Sequence, residues 1–103
     1  MYLIQVMLPL NANDGRPLPC DHFLRVREEL QDRFGGLTVY SRDTAEGLWQ
    51  EDDATRTVRD NIVLFEIMAG ELDRDWWGQY RQSLEERFHQ NEVVIRAQEI
   101  ERL

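Results

Sequence analysis

Lysine is missing from this sequence: all 12 basic residues are arginine. Without an ε-amine there is no Schiff-base chemistry, no anchor for pyridoxal phosphate and no Walker-type lysine for a nucleotide phosphate. Cysteine is nearly missing too. Cys20 stands alone, which excludes an internal disulfide framework and a cysteine-rich zinc site. One thiol suits a reducing compartment, so a cytoplasmic location is expected. Positive charge is in deficit, with a formal net charge of −8. A protein that tracks a phosphate backbone needs a basic face to displace counterions, so nucleic acid is not an expected partner. An anionic membrane surface is disfavoured for the same reason. No apolar run approaches the length that spans a bilayer. The apolar stretch from Met1 to Leu10 contains Gln5 and lacks both a basic leader and a small-residue cleavage pattern. It reads as a strand and not as a secretory leader.

What remains is a chain of 103 residues with 42% apolar content, enough for one globular domain over 1–103. Tyr2 to Leu8 is a strand that ends in Pro9 and the turn sequence Asn11-Ala-Asn-Asp-Gly15. Pro17 and Pro19 keep the next stretch extended. Asp21 is placed to cap a helix whose buried stripe is Phe23, Val26, Leu30 and Phe34. Gly35-Gly36 stops it, because glycine takes the left-handed C-terminal conformation at no steric cost. Leu37 to Arg42 alternates apolar and polar residues as a second strand. Asp43 to Arg59 forms an arm in which Gly47-Leu48-Trp49 and Thr57-Val58 extend a hairpin. Asn61 to Met68 is a third strand, and Asp73 caps a second helix with the stripe Trp77, Tyr80, Leu84 and Phe88. Val93 to Ile100 is the last strand.

The helices match one another. Arg27, Leu30, Arg33 and Phe34 recur as Arg81, Leu84, Arg87 and Phe88, and the same offset sets Arg42 on Arg96. The order β-α-β-β-α-β predicts an α+β, ferredoxin-like fold: a four-stranded antiparallel sheet with two helices on one face. The first and third strands, the most continuously apolar, take the centre, and the other two are edges. By alternation Ile4, Val6, Leu8, Val39, Val63, Phe65, Ile67, Val93 and Ile95 point to the helices. The uncovered face then receives Leu3, Gln5, Met7, Tyr40, Arg42, Ile62, Leu64, Glu66, Met68, Val94, Arg96 and Gln98. In its element order and half-covered sheet the chain resembles the dimeric α+β barrel superfamily, which includes cofactor-free monooxygenases and stress-responsive proteins. The resemblance implies a homodimer and no cofactor. It supplies no catalytic signature.

The open face is too apolar for a monomer surface and too polar in places for a dry interface. Two readings follow. Two copies pack sheet to sheet, with the charged groups paired across the two-fold axis or at its rim. Alternatively the dimer encloses a pocket in which Gln5, Tyr40, Arg42, Trp49 and Arg96 hold a small acidic or aromatic molecule. An enzymatic variant of the second makes Glu66 the base of a cofactor-independent oxygenase or isomerase working in a closed cavity. A pure interaction module needs the face filled by the partner.

Elsewhere the chemistry is thin. Cys20-Asp21-His22 at a helix start looks reactive, but neighbours on a first turn do not face one another. His89 suits a helix end as a cation. Glu51-Asp52-Asp53 lacks the alternating ligands and internal glycine of a calcium loop, and the two histidines have no metal-ligand spacing.

Overall fold

The computed structural model describes residues 1–41 and 62–103. The expected arm, Asp43 to Arg59 with Trp49, lies outside the described residues, as does Arg42 of the expected second strand. Within them the chain forms β1 (Tyr2–Pro9), α1 (Cys20–Phe34), β2 (Thr38–Ser41), β3 (Ile62–Ala69), α2 (Arg74–Arg87) and β4 (Val94–Glu99). Every paired strand is antiparallel, and the order across the sheet is β2-β3-β1-β4. The architecture is α+β, with the two apolar strands at the centre.

Alternation along the central strands builds the core. Ile4 pairs with Ile67, Val6 with Phe65 and Leu8 with Val63, and all six are buried on the same face. Val26 and Leu30 of α1 and Trp77, Tyr80 and Leu84 of α2 join them in one cluster. Both helices therefore lie on that face. They run antiparallel: Phe34 at the end of α1 stacks on Trp77 near the start of α2, with ring centroids 5.4 Å apart. At the other end the rings of His22 and Phe23 pack on Phe88, at 5.5 and 5.3 Å. His22 is thus a packing residue.

The helix ends differ in how they are held. Asp73 caps α2 as expected, accepting from the Trp76 N–H at 3.1 Å. Asp21 does not cap α1. The cap position is Pro19, two residues earlier, and the helix begins at Cys20, so Asp21 falls in the first turn, where its charge still complements the helix dipole. Gly35 closes α1 at φ 78°, and its N–H donates to the Gln31 carbonyl at 2.8 Å. Val39 is a further correction. It lies opposite Phe65 on the helix face, yet it is 44% exposed. It sits on the edge strand, beside an apolar groove that also contains Leu10, Phe23 and Leu24.

Between the helices sits a polar clasp. The Arg87 guanidinium donates two hydrogen bonds to the Glu29 carboxylate, at 2.8 and 3.1 Å. The Tyr80 hydroxyl donates a third, at 2.9 Å. Burial acts to raise the Glu29 carboxyl, but the hydrogen bonds from Arg87 and Tyr80 and the charges of Arg87 and Arg25 outweigh it, holding it below its ordinary value of 4.5. Burial, then the Glu29 carboxylate, push the Tyr80 hydroxyl well above its ordinary range. A depressed carboxylate contributes stability above its unfolded pKa, and that contribution is lost as pH falls through the folded value. Glu29→Gln is therefore expected to lower stability by about 1 kcal/mol at neutral pH, discounted for partial exposure. The deficit should shrink at a pH well below that ordinary value, as the lowered folded value is passed. Urea midpoints at the two pH values check this; a deficit of equal size at both would show that charge is not what the clasp uses.

Candidate functional site

Strand parity sends every second residue to the face away from the helices, and no described element covers it. Register then sorts those residues into rows across the sheet. Thr38 lies opposite Glu66, Glu66 opposite Gln5, and Gln5 opposite Arg96. One polar row thus crosses all four strands. On one side of it run Tyr40, Leu64, Met7 and Val94, and on the other Met68, Leu3 and Gln98.

Three of the polar row's four members are bonded side chain to side chain. Gln5 Nε2 donates to Glu66 Oε2 at 2.8 Å, and Arg96 Nε donates to Gln5 Oε1 at 2.7 Å. The amide of Gln5 has one donor end and one acceptor end, so it fits between a carboxylate and a guanidinium in only one orientation. Both bonds are charge-assisted, which makes them stronger than neutral ones. The row carries one negative and one positive charge, one strand to either side of β1. Its central members, Gln5 and Glu66, are half-buried, while Arg96 on the edge strand is exposed.

Beside Glu66 the sheet face runs into an open cleft of about 420 Å³, lined among others by Leu3, Gly36, Thr38, Met68 and Arg102. The Ile100 N–H donates to the Met1 carbonyl at 2.9 Å. That bond continues the β1–β4 pairing past Glu99 and carries the chain toward the cleft, where Arg102 lines the wall. In the single chain the Glu66 carboxylate is half-buried and lines a cleft open to solvent. Among the described residues, no wall of that cleft comes from a facing element.

Three of the expected site residues, Gln5, Glu66 and Arg96, are brought into one hydrogen-bonded set. Tyr40 lies one row away on edge strand β2, opposite Leu64, and is 48% exposed. Arg42 and Trp49 lie outside the described residues. Thr38 completes the polar row without having been singled out, although its parity with Tyr40 carries that signal. Arg102 reaches the cleft through a strand extension that periodicity does not reveal.

Among the described residues no group of three His, Cys, Asp or Glu side chains is placed to hold a metal ion. No described helix is long and apolar enough to cross a membrane. Cys20 is a free, exposed thiol. Compared with protein-family models, curated proteins and solved structures, the chain matches none of them.

Proposed function

We propose that this chain is a ferredoxin-like domain whose open sheet face binds a second copy of itself, forming a homodimer that buries the row Gln5, Glu66 and Arg96. Each half supports the fold reading as a split β-α-β unit: β3 lies between β1 and β2, and β1 lies between β3 and β4. The single observation that carries the dimer is the composition of the open face. Largely apolar rows flank a polar row whose two charges balance and are each bonded to the Gln5 amide between them. Such a face is costly to leave in water, and its polar centre is cheap to bury. Strand spacing and rise give it a projected area of roughly 400 Å² per copy. Two copies then bury on the order of 1,000 Å² of accessible surface, the lower bound for a specific interface. The dimer is accordingly a dissociable one.

Met7 and Met68 are natural reporters on this face. Their oxidation by dilute peroxide is expected to slow as protein concentration rises, while the rate for free methionine added to the same tube stays constant. Rates for both residues that do not change with protein concentration would remove the reading.

The cleft beside Glu66 favours a second reading. Of Gln5, Tyr40, Glu66 and Arg96, it is Glu66 that lines the cleft. A small acidic or aromatic molecule is then held on the adjoining sheet face by Gln5, Tyr40 and Arg96, or Glu66 accepts a proton from it as the base of a cofactor-independent oxygenase or isomerase. Glu66→Gln separates the two. It is expected to leave assembly within about tenfold of the parent, whereas a reaction that uses the carboxylate as base is expected to lose at least a hundredfold in rate.

A further inference from the structure

We propose that the charged row fixes how the two copies meet: the two-fold axis runs parallel to β1 and sets Glu66 of each copy against Arg96 of the other. This rests on the homodimer reading above and adds its geometry. Sheets stacked face to face pack either aligned or near-orthogonal, and a two-fold axis between them has three simple directions.

If the axis lay along the polar row, each residue would face its own copy. Glu66 would meet Glu66 and Arg96 would meet Arg96, two like-charge contacts in a water-poor interface. If the axis lay diagonally, the strands would cross, and the two charges would swing off the row onto the positions flanking Gln5 on the other β1. Those positions are Leu3 and Met7, so each charge would be desolvated against an apolar side chain.

Only an axis along β1 exchanges the flanking strands. Glu66 on β3 and Arg96 on β4 are each one strand from β1, on opposite sides and in the same row as Gln5. The exchange lays carboxylate over guanidinium twice per dimer. It also lays Leu64 over Val94, Met7 over Met7, Leu3 over Leu3 and Met68 over Gln98, so the flanking rows stay in register. β2 then falls outside the overlap. Tyr40 sits at the rim, in keeping with its half-exposed ring and polar hydroxyl.

Charge arrangement of this kind selects register and partner more than it adds raw affinity. The test is therefore a charge swap read in trans. Glu66→Arg and Arg96→Glu are each expected to weaken the dimer about a hundredfold. Each leaves the far-ultraviolet circular dichroism and urea midpoint near those of the parent. Mixing the two folded single variants is expected to restore dimer mass by light scattering, because one carries two arginines in the row and the other two glutamates. The double variant E66R/R96E is expected to dimerise with itself, with the Gln5 amide turned over to serve the exchanged charges.

Single variants that dimerise as tightly as the parent would overturn the proposed axis while leaving the interface in place. So would a folded double variant that stays monomeric. A monomeric parent would instead remove the homodimer reading beneath it. Should either reversal prevent folding, Glu66→Gln and Arg96→Gln carry the same comparison at about tenfold amplitude. Their failure to weaken the dimer would count against the axis in the same way.

Discussion

Phe88→Ala is expected to remove about 3–5 kcal/mol of stability, a large part of the 5–15 kcal/mol typical of a single domain. Phe88 is fully buried and closes α2, its N–H donating to the Leu84 carbonyl at 2.9 Å. Its ring meets His22 and Phe23 where α1 begins. Truncation leaves a cavity at the junction of both helices and the sheet, bounded by rings that cannot collapse into it without moving a helix. Leu24→Ala on the outer side of α1 is the matched control. That residue is 50% exposed, so the change should cost less than about 1 kcal/mol. Urea unfolding of the two variants side by side gives the comparison. Similar midpoints would mean that Phe88 is not a keystone between the helices.

The second large effect concerns the open face. Leu64→Asp is expected to weaken self-association about a hundredfold while leaving the monomer fold within about 0.5 kcal/mol of the parent. Leu64 stands between Tyr40 and Met7 in the apolar row next to Glu66. It is half-buried by its own sheet neighbours, and burying a carboxylate there against a second copy would leave that charge unpaired. The same substitution on a sheet face that stays in water would be nearly silent. The variant is therefore informative only if both mass and stability are measured. Loss of dimer with an unchanged unfolding midpoint is the expected pair of results, and unchanged mass at equal concentration would count against the face.

Much of this architecture was legible in the residues, for a physical reason. Alternation with period two fixes which side of a strand faces the core, and the apolar content of β1 and β3 marks them as central. Asp73, Gly35 and the stripe Trp77, Tyr80 and Leu84 could be placed because caps and helical periodicity are local signals. Asp21 was misplaced by one such signal. An aspartate near a helix start reads as a cap, but the extended backbone at Pro19 lets the helix start two residues sooner. Val39 has the parity of a core residue and is exposed, because coverage of an edge strand depends on tertiary placement and not on sequence period.

The candidate site divides along the same line. Parity put Gln5, Glu66 and Arg96 on one face, but only register puts them in one row. Register depends on strand pairing across 61 and 91 residues of chain. The amide bridge between carboxylate and guanidinium was therefore invisible in the sequence. So was the cleft that Arg102 helps to line, since it depends on the chain continuing beside Met1.

Static light scattering on the unaltered chain, from about 1 to 100 μM at moderate salt, tests the central claim most directly. Self-association through the open face predicts a mass that rises with concentration from 12.3 kDa toward twice that value. A mass that stays at 12.3 kDa over the whole range would contradict it.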